Sequence, residues 1–292
     1  MNLVLVWVNL FAFQLDLVNA VATVVSTTGL DVRHEMVTVM GRPAYIYRPN
    51  QTVMKRPSAG IFVLHGSEGV PSDMYGLGME VAADANSFLV VYPDMASSRA
   101  GEWGYASDIP YFEALAHFLT KEPYRLDPER AFVCGHSAGG SMSLFLQNEM
   151  DVFASGAAVE AAVGHLESWN MSKSGHRSMV IWNHADPVLE EYAPTGGEPA
   201  YYNLTISTLR RHGTQTYSSR TPLPTSASVV SAEILTYLAD NAPELQMLSW
   251  RSNPGTHKWP STSWASFGAT ETLVSFFIGN APDAEIGEEI VV

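Results

Sequence analysis

A chain of 292 residues suits one large α/β domain or two small ones, and it can bury a sizeable core without disulfide or metal staples. Hydrophobic residues make up 46% and charged residues only 16%, which excludes a disordered or fibrous chain. The 16 basic against 30 acidic residues leave a net charge of −14, a field that repels polyphosphates and argues against a nucleic-acid partner.

Leu3–Phe13 (LVLVWVNLFAF) is apolar and of signal-peptide length, too short to span a bilayer comfortably as a stable anchor. Val18-Asn19-Ala20 after it supplies a small-residue cleavage site, although no Lys or Arg precedes the apolar run. Residues 1–20 are therefore read as a signal peptide of a secreted protein, with a buried N-terminal strand or helix as the competing reading. Three N-x-[ST] sequons, at Asn50, Asn170 and Asn203, are compatible with export. No linker, repeat or low-complexity tract divides residues 30–280, and residues 21–292 are expected to form one domain.

Glu35–Met40 and Pro43–Tyr47 read as two strands around a Gly41-Arg42 turn. Ile61–Leu64 is a buried-strand run ending in His65-Gly66. The spacing of Leu77, Val81 and Ala85 predicts a helix over Met74–Asn86, and Phe88–Tyr92 the next strand, stopped by Pro93-Asp94. Asp108 reads as the N-cap of a helix carrying Phe112, Leu115, Phe118 and Leu119. Ala131–Cys134 is a strand and Ser137–Met150 a helix. Met179–Trp182 follows as a strand, Tyr201–Arg211 as a helix, Met247–Trp250 as the last strand and Thr270–Phe277 as part of the closing helix. Between Thr214 and Leu245 the pattern leaves a loop with a strand near Ile234–Tyr237, or a short helix there. Continuous apolar strands separated by helices predict an α/β fold: a mostly parallel central sheet with helices on both faces and no large separate lid. The one cysteine, Cys134, excludes an intramolecular disulfide and a cysteine zinc cluster; inside an apolar run it reads as an inert thiol. The acidic run Asp283–Glu289 reads as a solvated tail.

Gly135-His136-Ser137-Ala138-Gly139 matches G-x-S-x-G. The pattern alone recurs by chance in roughly one chain in ten of this length, given glycine near 7% of residues. Its placement directly after a strand and at the head of a helix is what a nucleophile elbow requires. A serine hydroxyl needs a base to take its proton, and on this kind of fold the chain order is Ser, then acid, then His. Asp186 stands after the strand Met179–Trp182, at the edge where the elbow also lies; Glu160, at the end of the Ser155–Val159 run, is the runner-up acid. His257 lies on the loop after the last strand, whereas His176, His184 and His212 come earlier in the chain. Ser137, Asp186 and His257 are thus the expected triad. The oxyanion hole calls for two N–H groups, expected from Ala138 and, after the strand ending in Leu64, from Ser67.

These segments resemble the α/β-hydrolase esterases that group polyhydroxyalkanoate depolymerases with feruloyl and acetylxylan esterases. The resemblance runs from about Arg42 to Phe277. It is carried by Leu64-His65-Gly66, Val90-Val91-Tyr92-Pro93-Asp94, the Trp103 segment, Asp108 with Phe112, Leu126-Asp127-Pro128 and Gly135–Met142 around the elbow. Val152-Phe153-Ala154, Ala185-Asp186-Pro187-Val188 and Gly255-Thr256-His257-Lys258-Trp259-Pro260 continue it. It implies the same triad and no metal or organic cofactor. The family usually has His-Gly four and three residues before the acid, where this chain has Trp182-Asn183. Polymer-degrading members often carry disulfides and a substrate-binding module, so a soluble ester is expected rather than an insoluble polyester.

The expected activity is serine ester hydrolysis through an acyl-enzyme, on a small-molecule or polymer-linked ester. His65, Trp103, Tyr105, His136 and Trp259 are candidate substrate-binding residues, with plain packing as the competing reading for the aromatics. The alternatives are a serine peptidase, which the lack of a propeller-sized domain disfavours, and a catalytically silent binding module, which commonly loses a triad member. Acyl transfer to an acceptor other than water stays open.

Overall fold

A computed structural model describes residues 23–25, 34–49, 57–96, 101–162, 177–210, 216–239 and 242–279. The expected signal peptide, the sequons Asn50 and Asn170, the acidic tail, His176 and His212 lie outside the described residues; Asn203 is exposed on a helix. Among the described residues eleven strands form one sheet: β1 (Thr23–Val25), β2 (His34–Val39), β3 (Arg42–Tyr47), β4 (Ser58–Leu64), β5 (Leu89–Pro93), β6 (Leu126–His136), β7 (Ser155–Val159), β8 (Arg177–Asn183), β9 (Thr216–Pro222), β10 (Val229–Ala239) and β11 (Ala242–Ser252). Their spatial order is β1-β2-β3-β5-β4-β6-β7-β8-β11-β10-β9. The six central strands, β5 to β11 in that order, run parallel, while β1–β3 and β9–β10 extend the two edges antiparallel.

Six α-helices among the described residues accompany the sheet: α1 (Met79–Asn86), α2 (Ile109–Leu119), α3 (Ala138–Glu149), α4 (Pro187–Glu191), α5 (Gly197–Leu209) and α6 (Ala269–Ile278). Alternation along the strands divides the core. Phe62, Leu64, Val133 and Trp182 pack with α2, α3 and α5, whereas Ile61, Val63, Cys134 and Ile181 pack with α1 and α6. A strand covered on both faces must be apolar at every position, which is why these strands appear in the sequence as unbroken runs. Burial pushes the Cys134 thiol well up, so it stays protonated. Among the described residues no separate lid domain stands over the sheet, and no helix is long and apolar enough to cross a membrane.

Three expectations are corrected. The helix expected over Met74–Asn86 begins only at Met79, because Gly78 takes φ +95°, a left-handed conformation that ends regular structure before it. The shorter helix buries Met79 and Ala83, and Val81, expected on the inner stripe, is 74% exposed. The hairpin turns one residue earlier than expected, at Met40-Gly41, and Arg42 opens β3. Asp108 does precede α2, but its side chain makes no cap bond. It is buried instead against Arg42, whose Nη1 donates to it at 2.9 Å, and it accepts the Gly104 N–H at 2.8 Å. The open stretch after Thr214 resolves into β9 and β10. β9 is exposed along its whole length, so it carries no apolar signature.

Arg42 also donates from Nε to the Asp94 carbonyl and lies 4.0 Å from the centre of the Tyr111 ring. It thereby ties β3 to the segment that carries Trp103. Removing one partner of a buried ion pair leaves the other charge uncompensated. Arg42→Met is expected to lower stability by about 3 kcal/mol in urea unfolding, the cost of stranding Asp108.

Candidate active site

Strand β6 ends in Gly135-His136, and Ser137 turns sharply with φ 54° and ψ −126° before α3 begins. That strained conformation persists because its surroundings hold it. The Ser137 N–H donates to the Val159 carbonyl at 3.0 Å, and the Ser137 carbonyl accepts from Gly140 and Ser141. A Cβ on Gly135 would come within 2.5 Å of the Gly139 backbone, and one on Gly139 would overlap the Leu64 and His65 carbonyls. The glycines of the motif therefore allow backbone to pack on backbone at the elbow.

At the same edge of the sheet, His257 Nδ1 lies 2.6 Å from Asp186 Oδ2. The other Asp186 oxygen accepts the N–H groups of Val188 and Leu189 at 2.8 and 3.2 Å. Burial would push the Asp186 carboxyl up. The hydrogen bonds from His257 and Glu160 and the His257 charge outweigh it, and the group is held below the usual carboxylate range. His257 and Ser137 line the same cavity, of about 640 Å³. Trp103, Tyr105, Val188, Leu189, Tyr192 and Tyr201 form much of its remaining wall.

The loops carrying Asp186 and His257 are joined by a residue that sequence reasoning passed over. Asn183, fully buried at the end of β8, donates to the Ser252 hydroxyl and the Thr256 carbonyl, both at 2.8 Å. Its Oδ1 accepts the N–H groups of Ala185 and Ser252. The departure from the family pattern at Trp182-Asn183 is thus a buried clamp across the two loops. Trp182 turns to the other side and donates to Glu198, which also accepts from His184 at 2.9 Å. His184 is further bonded to Ser249, so both its nitrogens are occupied.

Glu160, the runner-up acid, does not hold the histidine. It lies beside Asp186 and contributes to the cavity lining, yet is entirely buried, with Oε1 accepting the Trp250 indole N–H at 2.9 Å. Burial, and then the hydrogen bond and charge of Asp186, push its carboxyl well above the ordinary range. One atom each of Glu160, Asp186 and His257 lie within 4.8 Å of one another, a spacing that suits a cation. The His257–Asp186 contact of 2.6 Å leaves no room for an ion between those two groups.

The other expected residues divide. Ala138 and Ser67 both line the cavity. Ala138 opens α3, so its N–H has no acceptor within the helix. His136 lines the cavity and its ring centre is 4.7 Å from that of His257. Burial, and then the charge of His257, lower its imidazole to about 4. Trp103 and Tyr105 are wall residues, Trp103 also donating to the His65 carbonyl at 2.9 Å. Trp259 lines instead an adjoining cavity of about 480 Å³ that shares Gly66, Ser67, His136 and His257 with the first. Its indole is 6% exposed and donates to Thr270 at 3.1 Å. His65 is corrected: it is 0% exposed, lines neither cavity, and braces the loop through Nδ1 to Gly66 at 3.0 Å.

His136 has a consequence for stability. Between pH 6.5 and about 4 the unfolded chain binds a proton at this residue that the folded chain does not, so stability falls as pH falls through that window. His136→Gln is expected to reduce that slope, measured as urea midpoints at pH 7 and pH 5. The elbow contact yields a second expectation: Gly139→Ala should cost upwards of about 3 kcal/mol or prevent folding, because the clash is with backbone rather than a movable side chain.

Comparison with known proteins bears on the fold. The prolyl oligopeptidase family model matches residues 98–192, a span that includes the elbow and Asp186. No curated protein matches the chain. Among solved structures, an acetyl xylan esterase from Aspergillus awamori is similar at 17% identity and TM-score 0.57, over 88% of this chain and 98% of its own. A carboxylesterase from Mesorhizobium loti is similar at 13% identity and TM-score 0.51, over 85% of this chain and 100% of its own. With its parallel centre, strand-to-helix elbow and helices on both faces, the chain has the α/β-hydrolase fold.

Proposed function

We propose that this protein is a serine ester hydrolase working through an acyl-enzyme on Ser137. The observation that carries the reading is the 2.6 Å contact of Asp186 with His257, whose ring lies in the wall of the cavity that Ser137 also lines. His257 takes the Ser137 proton as Oγ attacks the ester carbonyl, and Asp186 holds the imidazole in the tautomer with hydrogen on Nδ1. The N–H groups of Ala138 and Ser67 receive the oxyanion. The alcohol leaves with the proton from His257, and water then releases the acyl group by the same route.

A cavity of about 640 Å³ is of ordinary size for a small-molecule site. Its walls of Trp103, Tyr105, Tyr192 and Tyr201 suit a soluble ester with an aromatic or sugar-linked group. The fold likeness to an acetyl xylan esterase and a carboxylesterase supports ester chemistry. The apolar leader at residues 3–13 supports export of the chain.

A second reading, a serine peptidase, is favoured by the prolyl oligopeptidase match over residues 98–192. The same triad cleaves amides and esters on this fold, so the substrate must be tested directly.

The test is hydrolysis of p-nitrophenyl acetate, methyl ferulate and a peptide p-nitroanilide by the purified protein, beside Ser137→Ala and Asp186→Asn. Turnover of the esters is expected, falling on the order of 10⁴-fold in either variant. Faster turnover of the anilide favours the peptidase. A folded wild type that turns over none of the three overturns the enzyme reading in favour of a binding module.

A further inference from the structure

We propose that Glu160 is a positioning residue of the site: a neutral, buried carboxylic acid that donates its proton to Asp186 and so orients the carboxylate holding His257. The proposal rests on the triad reading above and goes beyond it, adding a second carboxyl with a different protonation state.

Three features of Glu160 point the same way. Its side chain has 0% exposure, so an ionised form would be a second negative charge beside Asp186, with no Lys or Arg paired to it among the described residues and His257 already held by Asp186. The titratable groups around it are Asp186 and His257, with His136 packed on the far side of His257. Its two oxygens are also treated differently. Oε1 accepts the Trp250 indole N–H, while Oε2, equally buried, meets no donor side chain among the described residues; the Asn183 backbone N–H is a further donor at this carboxyl.

Oε2 is unsatisfied only as long as it is an acceptor. With a proton on it, it becomes a donor, and the Asp186 carboxylate, within 4.8 Å of the Glu160 carboxyl, is the acceptor at hand. Two adjacent carboxyls in a dry site share one charge for the same reason, since both cannot ionise.

The backbone is committed to this placement. Glu160 takes φ 49°, a left-handed value uncommon outside glycine, directly after β7. Its N–H donates to the Ile181 carbonyl at 2.9 Å, and the preceding carbonyl, of Val159, receives the Ser137 N–H. One turn therefore supports the elbow from one side and aims the Glu160 carboxyl at Asp186 on the other.

Without Glu160, Asp186 would face His257 with only the Val188 and Leu189 N–H groups to draw on its charge. A hydrogen bond from Glu160 draws density from the carboxylate and fixes its plane, which limits how strongly it holds a proton on His257. Three expectations follow for the purified protein. The infrared difference between wild type and Glu160→Gln at pH 7 shows a protonated-carboxyl C=O stretch, lost in the variant. The His257 Nδ1 proton resonance moves downfield in Glu160→Gln, because an amide is a weaker donor than a carboxylic acid. In Glu160→Leu, kcat/KM for p-nitrophenyl acetate falls about 10-fold, the worth of a hydrogen bond to a charged group, and its acid limb moves to higher pH, while Glu160→Gln stays within about 3-fold.

Absence of the protonated stretch, an unmoved His257 resonance, or an acid limb that moves to lower pH in Glu160→Gln would each overturn the proposal, the last because the native group would then carry charge. The two spectroscopic readouts need no substrate. They decide the role of Glu160 even if Glu160→Leu does not fold, and a wild type inactive on esters would count against the esterase reading alone.

Discussion

Everything at this site depends on how closely backbone can approach backbone where β4, β6 and α3 meet. Gly135 and Gly139 stand against the carbonyls of Leu64 and His65, with space for no side chain between them. That contact drives the chain from strand to helix within one residue, and Ser137, the residue at the corner, absorbs the strain at φ 54°. The hydroxyl is thereby lifted out of the sheet, and the first N–H groups of α3 are left free of helical partners at its side. A reactive group on a flexible loop could not be held this way.

The second organising feature is the electrostatics of a buried cluster. Two carboxyls and two imidazoles lie together near the cavity, and ionising all four would be costly in a medium of low polarity. The structure separates them by environment. Asp186 keeps its charge through two backbone N–H groups and His257. Glu160 is driven towards neutrality by burial and by Asp186, and His136 by burial and by His257. One carboxylate is left to face one imidazole.

The rest of the fold holds these groups in register. The parallel centre of the sheet brings Ser137, Asp186 and His257, far apart in sequence, to one edge. Asn183 then joins the acid loop to the histidine loop with three hydrogen bonds, and a fourth, from Ala185, fixes it within the acid loop. On the opposite flank, Arg42 and Asp108 brace the segment that presents Trp103 to the cavity. Buried polar groups of this kind cost stability unless every partner is in place, and here they stand where small displacements would reach the site.

The sequence by itself determined the parts of this protein that rest on local chemistry. Unbroken apolar runs announced the central strands because burial on both faces admits nothing else. The glycines around Ser137, and Asp186 and His257 after strand ends, were legible because those positions follow from chain order and turn chemistry. Helix phase at Met79 was misread because a left-handed glycine, invisible to periodicity, reset it. β9 was missed because an exposed edge strand has no apolar face to display. Only the tertiary structure decided that His65 is a brace, that Asp108 serves Arg42 rather than a helix end, that Asn183 is a clamp, and that Glu160 stands beside Asp186. A buried polar side chain takes its meaning from the partner that meets it, and these partners come from strands and loops brought together only when the sheet assembles.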